Sequence, residues 1–212
     1  MGAAELWLGP APYRPYHAES CHYAFRFISD FSGGQMTNWG AHNLDIVQWA
    51  LDADTTGPVR ISGSGTFPSD GLFDTPDDVD VSWEYANGVT VRCTTGTPHC
   101  RFSGAKGSIE VGRGHFEASP AALNDLTLGA DALRLCHSDN HMENFLDSVR
   151  TRQQPICPPE TGHRSATVCH LGNIAIRLNR PLNWDPAAEQ FIDDDEANAL
   201  RDRPRRAPWA TD

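Results

Sequence analysis

Nine histidines stand in a chain of 212 residues, and some are spaced for chemistry. His137 and His141 are four apart, the spacing that lets two imidazoles reach one cation from a single helix face. His42 and Asp45 are three apart in an apolar-periodic stretch, so they point the same way from a second helix. His22 opens an alternating stretch and adds a further imidazole. The five residues form a candidate ligand pool for a divalent ion, zinc or manganese. An ion held by three protein groups, with one position open, lowers its bound water's pKa to about 7 and polarises an ester or phosphoester. His42 is the central residue of that hypothesis and Asp45 its catalytic partner. Arg26 shares His22's face and suits an anionic or hydroxyl-bearing substrate. Cys21 adjoins His22, but neighbours on a strand face opposite ways, which argues against a thiol–imidazole dyad.

These side chains need elements to position them. Prolines 10, 12 and 15 among Trp7, Tyr13 and Tyr16 make residues 1–20 an extended arm rather than a helix. Residues 22–31 alternate Tyr23, Phe25 and Phe27 with His22, Ala24 and Arg26, which predicts a strand. Asn38 is the expected N-cap of a helix over 39–51. Strands are predicted over 59–67, 80–85 and 89–95, the last two joined through Asn87-Gly88. Two short strands follow at 101–102 and 108–111, then a surface loop with one turn of helix over 116–133. The pattern predicts a helix over 138–150 with Met142, Phe145, Leu146 and Val149 as its core stripe. A longer helix over 161–178 and a short strand at 182–184 follow. Helix among early strands, then a run of strands, then helices is an α+β pattern: an open, mainly antiparallel sheet with helices on one face. Residues 21–185 read as that single domain. Residues 186–212 are a charged tail packing on it, with the acidic run 193–196 and the basic run 201–206 expected as solvated faces.

Composition narrows the function classes. Apolar residues are 39% and charged residues 21%, enough to bury a core. A net charge of −11 repels phosphate backbones and argues against nucleic-acid or anionic-membrane partners. No apolar run reaches membrane-spanning length and the start lacks a secretory pattern, so a cytoplasmic setting is expected. The six cysteines form no C-x-x-C pair, and buried free thiols are the expectation.

Three segments carry a family resemblance: Trp7-Leu8-Gly9-Pro10-Ala11-Pro12, then Gly33-Gly34-Gln35-Met36-Thr37-Asn38-Trp39-Gly40-Ala41-His42-Asn43-Leu44-Asp45, then Gly162 to Ala175 around His163, His170 and Asn173. Together they resemble the C-terminal domain of the Gfo/Idh/MocA oxidoreductases, over nearly the whole chain. The resemblance implies a sugar or polyol substrate held between this domain and a Rossmann domain that binds NAD(P) and carries a catalytic lysine. It places His42 at the substrate. Asn38 stands where the family commonly has aspartate; an amide orients a ligand by hydrogen bonding but exchanges no proton at neutral pH.

No G-x-G-x-x-G follows a predicted strand, so this chain carries no NAD(P) cradle of its own. It is expected not to be a dehydrogenase by itself. Two functions stay open. One is a metal-dependent hydrolase of ester or phosphoester substrates. The other is a non-catalytic substrate-binding and oligomerisation domain of an NAD(P)-dependent sugar oxidoreductase, needing a Rossmann partner. Aromatics left without that partner tend to be covered by self-association, so a homo-oligomer is expected.

Overall fold

The computed structural model describes residues 3–96, 99–127, 129–132 and 135–210. In chain order the regular elements are α1 (Ala3–Leu8), α2 (Trp39–Ala50), β1 (Arg60–Thr66), β2 (Asp78–Glu84), β3 (Thr90–Thr94), β4 (Cys100–Gly104), β5 (Gly107–Gly112), β6 (His115–Ser119), α3 (His141–Thr151), α4 (Pro159–Leu178), β7 (Leu182–Asp185), β8 (Gln190–Phe191) and α5 (Asp195–Ala199). The strands make two antiparallel sheets, one of five strands in the order β3-β2-β1-β7-β8 and one of three in the order β4-β5-β6. The α+β expectation holds.

The core lies between the larger sheet and α4. Ile61, Val81 and Trp83 are fully buried on the sheet's inner face and meet Val168, Leu171, Ala175 and Ile176 of α4. Period-2 apolar positions on the strands meet an apolar helix, which is what closes such a layer. The Trp83 indole N–H donates to the Val168 carbonyl at 3.1 Å, so its polar atom is satisfied in the interior. Gly172 sits under that ring: a Cβ there would lie 2.7 Å from Trp83 Cζ2. Proline at the first turn suits α4's start, and Asn179 in the left-handed region ends it (φ 49°). Gln48 of α2 is also fully buried. It donates to the Ala53 and Thr56 carbonyls and accepts from the Tyr85 hydroxyl.

Several expectations need correction. Residues 3–8 are helical, since the prolines begin only at position 10 and the first turn is free of them. Residues 22–31 form no strand. His22 takes a positive φ of 53° and Ala24–Phe27 is a 3-10 turn, so the aromatic alternation is not sheet pairing. Phe27 packs edge-on to Phe73 instead, at 5.7 Å. The expected loop 116–133 has its turn of helix, a 3-10 turn at Ala121–Leu123, but also contains most of strand β6; its positions 128 and 133 lie outside the described residues. The predicted core stripe of α3 faces solvent, with Met142 60% and Phe145 54% exposed. Amphipathic spacing specifies an apolar face but not what covers it.

The region beyond Pro186 is built into the domain. Phe191 and Ala197 are buried in the common core. Within the acidic run, Asp194 caps α5 by accepting from the Ala197 N–H and takes both terminal nitrogens of Arg180. That pairing, with the Ala197 bond, holds the Asp194 carboxyl down at about 2. Arg206 reaches back to the Glu5 and Ala11 carbonyls. Among the described residues no helix is long and apolar enough to cross a membrane.

Candidate functional site

The structure scatters the proposed metal ligands. His137 precedes α3, whose N-cap is Asn140, so the pair 137/141 does not share a helix face. Its Nε2 meets Asp139 Oδ1 at 2.7 Å on the open surface. Asp45 accepts the Ser165 hydroxyl proton at 2.6 Å, tying α2 to α4 rather than holding His42. His22 sits on its turn, and Arg26 is committed to that same turn. The Arg26 guanidinium donates to the Tyr23 carbonyl at 2.8 Å and stacks over the Tyr23 ring at 3.7 Å. Among the described residues, His22, His42, Asp45, His137 and His141 do not converge as a ligand group. The hydrolase expectation therefore loses its geometric basis on these residues.

A different group does converge. His99, Glu110 and His115 place ligand atoms within 4.8 Å of one another. The hydrogen bond from His99, then the charge of His115, holds the Glu110 carboxyl below the usual carboxylate range. Neither the spacing of His99 and His115 nor any motif marks them. Only the strand register across β5 makes them neighbours.

His42 stands on the first turn of α2. Its ring meets Trp39 edge-on at 5.9 Å, and Arg113 lies over the Trp39 face at 5.5 Å. Both His42 nitrogens lack a hydrogen-bond partner among the described residues, as do those of His22, His141 and His170, whereas His17, His99, His115, His137 and His163 each carry one. Asn38 precedes the helix as expected, but its side chain does not cap. Its Nδ2 donates to Gln35 Oε1 at 3.2 Å. The result is a free imidazole, an aromatic face, an amide and a cation at one helix end.

A separate cleft of about 1180 Å³ lies between α4, the N-terminal segment and residues 199–205. Asn38, His42 and Asp45 are not on its wall. On that wall Asn173 donates to the Gly33 carbonyl at 2.8 Å, while its buried Oδ1 has no partner. Arg177 has no ion pair among the described residues. His170 keeps an edge open to the cleft, yet the protein packed round it pushes its pKa down, and the Arg203 charge adds to this.

The buried thiols offer little nucleophilic chemistry. No disulfide joins the six cysteines. Burial pushes Cys169 up to about 12 and raises Cys93 and Cys100, and a protonated thiol is a poor nucleophile. Burial is only partly as expected, because Cys136 and Cys157 are exposed.

Comparison with known proteins fits this architecture. The family described as "Oxidoreductase family, C-terminal alpha/beta domain" (GFO_IDH_MocA_C2) matches residues 3–211. The chain belongs to this Gfo/Idh/MocA C-terminal domain family. Among solved structures it is similar in fold to the aldose-aldose oxidoreductase from Caulobacter crescentus complexed with glycerol (TM-score 0.56, 18% identity, 75% of this chain and 50% of that one). An NAD-binding protein from Listeria innocua gives 0.55 at 16% identity, over 82% and 55% of the two chains. The WlbA dehydrogenase from Bordetella pertussis, in complex with NADH and UDP-GlcNAcA, gives 0.52 at 13% identity, over 76% and 48%. The chain thus spans about half the length of these structures. No curated protein sequence matches it.

Proposed function

We propose that this chain is the substrate-holding half of an NAD(P)-dependent oxidoreductase acting on a sugar or polyol. The observation that carries the reading is His42. It lies at the position where the family motif puts the substrate histidine, and both its ring nitrogens are free beside the exposed Trp39 face. A free imidazole there suits proton exchange with a substrate hydroxyl. Trp39 offers an apolar face to a sugar ring, and Asn38 offers an amide for orientation. The described residues do not form a dinucleotide cradle. Their sheets are antiparallel throughout, whereas the cradle needs parallel βαβ units with a glycine-rich turn. On this reading the hydride is exchanged with a nicotinamide held by a Rossmann domain docked against this one.

Titration of the purified chain with aldoses and polyols, followed by tryptophan fluorescence and calorimetry, tests the reading. Saturable binding that is lost in His42→Ala and Trp39→Ala is expected. Saturable binding of NADH by the chain alone would overturn the division of labour. A second reading places the substrate in the cleft, favoured by the unpaired Arg177 and the orphaned Asn173 oxygen. Binding that survives His42→Ala but is lost in Arg177→Ala would select it.

The proposal includes self-association. The open α3 stripe (Met142, Phe145, Leu146, Val149) is the face assigned to a second copy of the chain. Light scattering should give more than a monomer's mass, and Leu146→Glu should restore the monomer.

A further inference from the structure

The small sheet brings two imidazoles together by register. Cys100 pairs with Val111 and Gly112 pairs with His115. His99, one residue before β4, and His115, the first of β6, therefore flank Gly112 on the same face of β5. Glu110 lies two residues back on that face. Because Gly112 has no side chain, the His99 ring folds over it: a Cβ there would sit 2.4 Å from His99 Cδ2. The two imidazoles stack nearly parallel, with centroids 4.4 Å apart and planes 7° apart.

The outcome is that both imidazole edges meet one carboxylate oxygen. His99 Nδ1 stands 3.2 Å and His115 Nε2 3.1 Å from the same Glu110 oxygen. Tetrahedral ligands at about 2.1 Å from a zinc-sized ion lie about 3.4 Å from one another. Two of the three edges, from each imidazole nitrogen to the Glu110 oxygen, are close to that length, and to aim both in-plane lone pairs at one ion the stacked rings must turn out of parallel; all three side chains are about two-thirds shielded from solvent. Neutral imidazoles and a carboxylate are the donor types that borderline divalent ions prefer. Arg101 and Glu117, the cross-strand partners of Glu110 on this face, balance one another, so the local charge available to a cation is that of Glu110.

We propose that His99, Glu110 and His115 form a binding site for one zinc-type divalent ion, bound through His99 Nδ1, His115 Nε2 and a Glu110 oxygen, with a fourth position open to water. To ligate, each imidazole keeps its remaining proton on the other nitrogen, Nε2 in His99 and Nδ1 in His115. The ion pins three strands at the Gly112 turn. Among these strands only Cys100 and Ala118 are buried hydrophobic residues, so the sheet has little else to hold it. The next residue, Arg113, reaches Trp39, so the ion also steadies the contact between this turn and α2. The site differs from the ligand pool expected from spacing, and it stands whether or not the oxidoreductase reading does.

The test uses the full chain, stripped with chelator and titrated with Zn²⁺ by calorimetry and with Co²⁺ by its visible absorption. One ion per chain is expected, with a melting temperature that rises with free metal, as linkage requires. His115→Ala and Glu110→Gln should each weaken binding by more than about 100-fold, beyond the loss of a merely supporting partner. Gly112→Ala keeps all three ligands but displaces the His99 ring, and should weaken it too. Circular dichroism of each metal-free variant shows that it is folded. Absence of saturable binding would overturn the proposal. So would Zn²⁺ affinity unchanged in His115→Ala and Gly112→Ala, because the ion would then sit on other surface histidines.

Discussion

The two sheets are both antiparallel, yet they bury their apolar faces differently. In the larger sheet Ile61, Val81 and Trp83 are sealed by the 20-residue α4. In the smaller one Ile109 stays 38% and Phe116 60% exposed. Alternation makes a strand amphipathic; whether that face is covered depends on what the chain lays across it. The larger sheet gains its stability from apolar burial, which is non-directional and needs no ligand. The smaller has instead a polar row on its other face, where two histidines and a glutamate meet.

Mutations sharpen this contrast. The largest effect is expected from Trp83→Ala, which empties the centre of the larger sheet and removes its hydrogen bond to Val168; truncating a buried aromatic costs about 3–5 kcal/mol, read as a large drop in the urea midpoint. Gly172→Ala forces a methyl into the Trp83 ring and should cost about 1–3 kcal/mol by the same measurement. Phe116→Ser, at an exposed position of the smaller sheet, should change stability by less than about 0.5 kcal/mol. Equal losses from Trp83→Ala and Phe116→Ser would break the comparison.

Acid acts on a third region. Asp194 titrates at about 2 in the folded chain, against 3.8 for the ordinary group, so its bonds to Arg180 and α5 favour folding fully above 3.8. That contribution fades as pH falls through the folded value. Asp194→Asn should therefore melt below the parent at neutral pH, with the gap closing as pH falls toward about 2. A gap independent of pH would show that the cap, not the charge, holds this segment.

Legibility in the sequence followed the range of the interactions. The β1–β2–β3 meander was readable because alternation and the Asn87-Gly88 turn are local. So were α2, from its apolar period, and α4, from its run of Ala, Leu and Ile. The segment 22–31 misled because its aromatic alternation resembles a strand, while the positive φ at His22 and the hydrogen bonding of the 3-10 turn override it. The pair His137/His141 misled because the spacing argument assumes both residues lie on the helix, and Asn140 begins the helix between them. The placement of His42 at the start of α2 was legible from the family motif.

By itself, the sequence determined the α+β class and the position of His42 on its helix, because periodicity and motif are properties of neighbouring residues. Tertiary structure alone decided that the stripe on α3 is left open, that Asp45 bonds Ser165, and that His99, Glu110 and His115 share one side of a sheet. Each of those depends on residues far apart in the chain or on what packs across a face, and such contacts exist only once the register and packing are set.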